Sequence, residues 1–326
     1  MLPLSSPSTG PSKERRQIEK GVSVRAPGEG WTSGLRRTLG NPQTRAGYIF
    51  IAPGILLFLI FTVIPIGYAA YLALTNYDVF AKRDFVGVAN FVRMASDKLF
   101  LSSLANTAYY AVGTIPTSMF ISMLLAIIVN QGIRGRLFYR VSYYIPVISS
   151  TVAVSLIWVM LYAPSYGLLN YLLQLVGLPG QRWLGDLRLA MPSLIVMSVW
   201  RGLGFNMIIF LAGLQGISQH LYEAAMIDGA GRWAIHRHIT WPMLKPTTFF
   251  IFVISCISAF QVFEQVLIMT NGGPANATTT VVHQIYQSAF IFFRLGYASA
   301  QSFVLFAIIL VMSLLNIRFF QGEVTY

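Results

Sequence analysis

The sequence predicts an all-α integral membrane protein with six transmembrane helices, and three observations carry that prediction. Of 326 residues, 55% are hydrophobic and only 10% charged. An average soluble domain holds roughly 25% charged residues. Mean hydropathy is +0.62. Six apolar stretches each reach the ~20 residues that a helix needs to cross a bilayer. They are Tyr48–Leu74, Leu104–Val129, Val141–Tyr162, Ala190–Leu214, Pro246–Met269 and Ala300–Phe320. This pattern excludes a soluble enzyme, a disordered chain and a disulfide scaffold. Cys256 is the sole cysteine, so no intrachain disulfide forms and the redox compartment is not legible.

Residues 1–45 precede the apolar stretches. They are rich in Pro, Ser, Gly and Arg without an apolar period, which predicts a disordered basic tail. The six-helix domain spans 46–322, and 323–326 form a short C-terminal tail. Barrel strands of ~9–11 residues are too short to account for the runs, and no polar–apolar alternation is sustained. Pro53, Pro65, Pro116, Pro146 and Pro192 fall in or near helix ends, where neighbouring helices can re-satisfy freed carbonyls. Residues 281–293 read as a short helix lying in the outer interface.

The net charge is +12. With the N-terminus inside, fifteen Lys/Arg fall on the inner side and seven on the outer side, leaving Arg201 within a helix. The short return loops carry the bias: Arg134, Arg136 and Arg140 in the first, Arg232, Arg237 and Lys245 in the second. Both termini are therefore expected in the cytoplasm. The basic tail is expected to touch anionic lipid rather than nucleic acid, since no folded nucleic-acid module follows it.

The return loop over 215–245 has a helical pattern of its own. Ser218 is the expected N-cap, with Ile217, Leu221, Ala224 and Ala225 on one face. Gly229 or Gly231 can take the left-handed conformation that ends a helix. A second helix is expected from Arg232 to Ile239. Pro242 interrupts it, and Pro246 opens the fifth span. Small residues at Ala224 and Ala225 permit close approach by another surface, and Glu223 and Asp228 offer carboxylate acceptors.

Glu223-Ala224-Ala225, three residues, Gly229, nine residues, Ile239, one residue, then Trp241-Pro242 resembles the EAA signature of binding-protein-dependent ABC importer permeases. Trp241 stands where that signature usually has Leu. The flanking LAGLQ and MTNGGPANAT at 269–278 resemble carbohydrate-uptake permeases of the maltose, lactose and glycerol-3-phosphate types. The resemblance is to the shorter six-helix members, which are expected to lack the two extra N-terminal helices and the large outer domain of some maltose-type subunits. The resemblance covers about residues 48–320. It implies the type I ABC importer permease fold, in which the EAA helix is a cytoplasmic coupling helix. It also implies a second permease of different sequence, two ABC ATPase subunits and an extracytoplasmic solute-binding protein, in the inner or plasma membrane of a bacterium or archaeon. The coupling residues it implies are Glu223, Ala224, Ala225, Asp228, Gly229, Arg232 and Pro242, with Glu223 accepting from donors in the ATPase groove. No G-x-x-x-x-G-K-[ST] occurs, so ATP and Mg are expected in the partner and no cofactor in this chain.

Two ionisable side chains lie within the predicted helices, Arg201 and Glu264. A charge at the bilayer centre costs at least ~2.5 kcal/mol, so each should face a cavity or a partner. By resemblance to the maltose-type complex, Ser198, Arg201, Gly202, Phe205, Ser255 and Ala259 line the substrate path. Gln261 and Glu264 join them on chemistry, because sugar recognition needs amide and carboxylate partners beside an aromatic face. Two plainer readings stand beside this: an Arg201–Glu264 pair that only holds the bundle, and Ser/Gly helix packing. His236 and His238 lack neighbouring Cys or paired carboxylates, so neither a metal site nor a catalytic cluster is expected. The alternative function is an ion-coupled secondary transporter, which should show repeated halves and several mid-helix acids. Arg201 suits either an anionic sugar phosphate or sugar hydroxyls.

Overall fold

The structure is a computed structural model, and it describes residues 42–78, 84–131 and 134–320. Residues 1–41 of the predicted basic tail, residues 79–83 and 132–133 and the final residues lie outside these; 42–45, expected in the tail, already belong to the first helix. Two compact units are resolved, with the boundary after Ile66. In the first, α1 (Pro42–Phe58) passes through a π turn at Leu59–Val63. Its apolar residues, such as Phe50 and Phe61, are exposed.

The boundary falls within α2 (Ile64–Ala73), and the second unit, from Gly67, holds the rest of that helix and α3 (Ala89–Ser96), α4 (Lys98–Asn130), α5 (Arg136–Ile148), α6 (Thr151–Leu161), α7 (Leu168–Leu175) and α8 (Ala190–Gln215). Then come α9 (Gln219–Ile227), α10 (Arg232–Ile235), α11 (Trp241–Met243), α12 (Lys245–Phe260), α13 (Glu264–Met269), α14 (Val281–Tyr286) and α15 (Leu295–Phe320). Among the described residues four helices are long and apolar enough to cross a membrane, or up to six if each of two bent pairs is one crossing.

The central pair is α4 against α8, with α12 packed on α4 and α5 packed on α8. Asp97 starts α4 by accepting from Leu99 N at 2.9 Å and Phe100 N at 3.3 Å, which satisfies two orphan amides of the first turn. Burial raises the Asp97 pKa, but hydrogen bonds from Tyr297, Phe100 and Leu99 and the charge of Arg93 outweigh it, so the net shift is downward. Small residues let α4 and α8 approach closely. Ser122 Oγ donates to the Leu203 carbonyl across the pair at 3.0 Å. A Cβ on Gly204 would lie 2.0 Å from the Tyr143 carbonyl of α5. Such contacts replace hydrophobic burial as glue where lipid surrounds the bundle.

Two predicted spans are broken. The third bends by 100° between α5 and α6 at Ser149–Ser150. The expected continuous fifth span ends at Phe260. Gln261–Phe263 are non-helical and α13 starts afresh at Glu264, so Glu264 sits in a first turn rather than within a long helix. Hydropathy cannot register this, because the break lies inside an apolar run and is paid in hydrogen bonds from other elements. Thr280 Oγ1 donates to the Val262 carbonyl at 3.0 Å.

The expected surface helix at 281–293 is also corrected. Val281, His283, Gln284 and Ser288 are buried, and Val281 N donates to Thr107 Oγ1 of α4 at 3.0 Å. The preceding loop is pinned the same way: Asn106 Nδ2 donates to the carbonyls of Asn276 and Thr279, both at 3.0 Å. Only Phe290–Phe293 at its end are exposed.

Candidate functional site

Ser198, Arg201, Gly202 and Phe205 stand at i, i+3, i+4 and i+7 near the middle of α8, so one helical face presents all four. Ser255, Ser258 and Ala259 come from the end of α12, and the break after Phe260 swings Gln261, Glu264 and Gln265 toward the same space. All eight residues named for the substrate path line one cavity of ≈ 580 Å³. A Cβ on Gly202 would meet nothing within 4 Å, so this glycine faces open space and not a packed helix.

The cavity wall is organised by polar contacts. Gln265 Nε2 donates to Tyr110 Oη at 2.9 Å and to Ser198 Oγ at 3.2 Å, joining α13, α4 and α8. Asn206 Nδ2 donates to Ser118 Oγ at 3.4 Å. Arg201 Nη2 donates to the Ser149 carbonyl at 3.5 Å. That carbonyl is available because α5 stops at Ile148 and the chain bends there. Arg201 Nε is buried without a partner. Glu264 is exposed into the cavity and has no hydrogen bond among the described residues. The considered Arg201–Glu264 pair is therefore not formed.

Tyr110, Thr114, Ser118 and Asn206 also line the cavity and were not singled out from sequence. A signal existed: Tyr110, Thr114 and Ser118 recur every four residues as a polar line on an apolar helix.

At the other end of α4 lies the 215–245 loop. Its first helix, α9, follows Ser218, whose side chain makes no capping hydrogen bond. Gly229 has φ +78°, and Ala230 N donates to the Ala225 carbonyl at 2.9 Å, closing the helix in the left-handed manner expected. Gly231 is not left-handed. The inward face of α9 is carried by Tyr222. Tyr222 packs against the bundle and its hydroxyl lies 3.3 Å from Thr240 Oγ1, while Leu221, Glu223, Ala224 and Asp228 are exposed. Tyr222 wins because its ring brings both apolar area and a hydroxyl to a polar neighbour. Glu223 Oε2 lies 3.6 Å from His220 Nδ1 one turn earlier. The second helix differs from the expected one. α10 runs on through a π turn at His236–Thr240 into α11, so Pro242 follows that turn without ending the helix. The bend falls at Leu244, and Pro246 opens α12 as expected. Arg232 begins α10 and is exposed. Among the described residues no group of three His, Cys, Asp or Glu is placed to hold a metal.

A family model described as "binding-protein-dependent transport system inner membrane component" matches residues 99–321. The chain belongs to this family. As a permease subunit it is a transport protein and not an enzyme. It is 36% identical over 279 residues to the probable ABC transporter permease protein YurN of Bacillus subtilis, covering 84% of this chain and 95% of that protein. It is 35% identical over 287 residues to the sn-glycerol-3-phosphate transport system permease protein UgpA of Agrobacterium fabrum, covering 87% and 98%. Among solved structures, a bacterial ABC transporter involved in import of the acidic polysaccharide alginate matches with TM-score 0.79. The identity is 25%, over 89% of this chain and 99% of that one. The permease therefore has the type I importer fold.

Proposed function

We propose that this permease moves a sugar or sugar derivative through the cavity between α4, α8 and α12–α13, driven by a separate ATPase that grips α9. The carrying observation is the cavity itself: Arg201, Glu264 and six further residues chosen from sequence share one polar-lined space in the middle of the bundle. Hydroxyls, amides, one cation, one carboxylate and the Phe205 ring match what a polyhydroxylated solute needs. Relatives named for glycerol phosphate and alginate transport support the carbohydrate class.

The remaining assembly follows from the family. A solute-binding protein delivers the substrate, a second permease of different sequence completes the pore, and two ATPase subunits hold ATP and Mg. Glu223, Ala224, Ala225 and Asp228 on α9, with Gly229 shaping its end and Arg232 and Pro242 following, form the ATPase-facing surface. Glu223, Ala224 and Asp228 are exposed and so accessible to a partner, with Ala225 half-buried behind them. Both termini are assigned to the cytoplasmic side of the inner membrane by the Lys/Arg bias. Membership of an ABC permease family displaces the ion-coupled alternative.

The test uses the assembled transporter in proteoliposomes. Cys256 is buried, so Ser258→Cys places one accessible thiol on the cavity wall. ATP-driven uptake should be blocked by a maleimide in this variant and protected by transported substrate. Unchanged uptake after stoichiometric labelling would overturn the path. A photo-crosslinker at Leu221 should capture the ATPase subunit; its failure in active membranes would overturn the coupling surface.

A further inference from the structure

A second cavity, of ≈ 500 Å³, lies where α3, the start of α4, the end of α14 and the start of α15 meet. Its lining includes Arg93, Ser96, Asp97, Ser288, Arg294 and Tyr297. Tyr297 Oη donates to Asp97 Oδ2 at 2.6 Å, and the other Asp97 oxygen caps α4. The acid is thus already committed. The two arginines are not. Neither guanidinium has a hydrogen bond or ion pair among the described residues. Each is instead laid over a ring: Arg93 Cζ is 5.1 Å from the Tyr297 ring centroid and Arg294 Cζ is 5.9 Å from that of Phe292. Stacking holds a guanidinium by its face and leaves its in-plane N–H fork open, which is the geometry that receives phosphate oxygens.

Three observations say what comes to this fork. The cavity is at the Asp97 end of α4. That helix has 33 residues, or about 50 Å at 1.5 Å per residue. A hydrocarbon core is ~30 Å thick and a bilayer with headgroups ~40–45 Å, so a centred α4 puts its end at headgroup level. The cavity wall continues into Phe290, Ile291 and Phe292, each more than half exposed, and Val92 beside Arg93 is exposed as well. Aromatic and aliphatic surface directly beside arginines is the composition of an interfacial belt and not of a soluble docking face.

We infer that Arg93 and Arg294 bind the phosphate of an anionic phospholipid in the leaflet opposite the coupling helix, with Phe290–Phe292 against its upper acyl chains. The inference needs the chain to span a membrane but does not depend on the substrate or on the ATPase. Its failure and that of the proposed function are therefore separable.

The test is native mass spectrometry of the full-length protein in detergent, titrated with dioleoyl-phosphatidylglycerol or dioleoyl-phosphatidylcholine. The wild type should retain phosphatidylglycerol preferentially. Arg93→Gln with Arg294→Gln should weaken that retention roughly tenfold or more. Arg182→Gln, an exposed arginine elsewhere, should leave it unchanged. Both targeted side chains are exposed, and an unchanged thermal midpoint of the double variant checks folding. Equal retention by wild type and double variant overturns the proposal. So does complete displacement by 10 mM inorganic phosphate, which would mark a soluble-anion site. So does loss of solute-binding-protein association with phosphatidylglycerol retention intact, which would mark a protein dock.

Discussion

Arg201 and Glu264 line the same cavity yet make no ion pair, and Arg201 instead reaches the Ser149 carbonyl at the bend between α5 and α6. The two charges therefore stand ready for different partners. Arg201→Gln should lower ATP-driven uptake about tenfold or more, the cost of one charge-assisted hydrogen bond at ~1.5–3 kcal/mol. Glu264→Gln should not rescue it. Uptake by the double variant that returns to the wild-type rate would show a structural pair instead.

Gly202 and Gly204 are two residues apart and face opposite surroundings. Gly204→Ala drives a methyl onto the Tyr143 carbonyl and should cost about 1–3 kcal/mol, as overpacking does. Gly202→Ala should leave stability within ~0.5 kcal/mol and change only uptake. Thermal unfolding of the two variants in detergent decides this. Equal stability would refute the α8–α5 contact.

Gly229 ends α9 with φ +78°. Proline is held near −65°, so Gly229→Pro should abolish uptake while the protein still inserts. Alanine there should cost roughly 1–2 kcal/mol, the left-handed penalty. Normal uptake by the proline variant, measured beside membrane content, would remove the turn from any coupling role.

His283 is buried beside the 270–280 loop, and its Nε2 lies 3.3 Å from Asn271 Oδ1. Burial lowers its pKa below the usual 6.5. The unfolded chain then binds more protons than the folded one between the two values. The stability held above pH 6.5 should fall as the pH drops toward the folded pKa, and level off below it. His283→Gln should flatten that limb of the stability–pH curve. An identical limb in both proteins would exclude His283 as its source.

Asp97 has the opposite origin and the same sign. Its lowered pKa contributes stability at neutral pH that is lost as the pH falls through the folded value. Asp97→Ala should cost about 1 kcal/mol for the cap, plus the loss of the Tyr297 hydrogen bond, and should erase the most acidic limb. Thermal midpoints at several pH values test it.

The legible part of this protein was its solvent. Apolar runs, sparse charge and the Glu223–Pro242 pattern determined a membrane-spanning helical fold, a permease family and the loop that leaves the bilayer, because each is a property of consecutive residues. α8 was legible almost to its ends, and its Ser198–Phe205 face followed from helical period alone. The breaks at Ser149 and Gln261 were not legible. They are stabilised by donors such as Arg201 and Thr280 that lie far away in the chain, and an apolar run reads the same whether straight or bent. For the same reason only tertiary structure decided that Arg201 and Glu264 stay apart, that Tyr222 rather than Leu221 turns inward, and that 281–293 is mostly core. Local sequence specifies which surfaces avoid water; which polar groups meet is set by contacts between segments, and those exist only once the helices have packed.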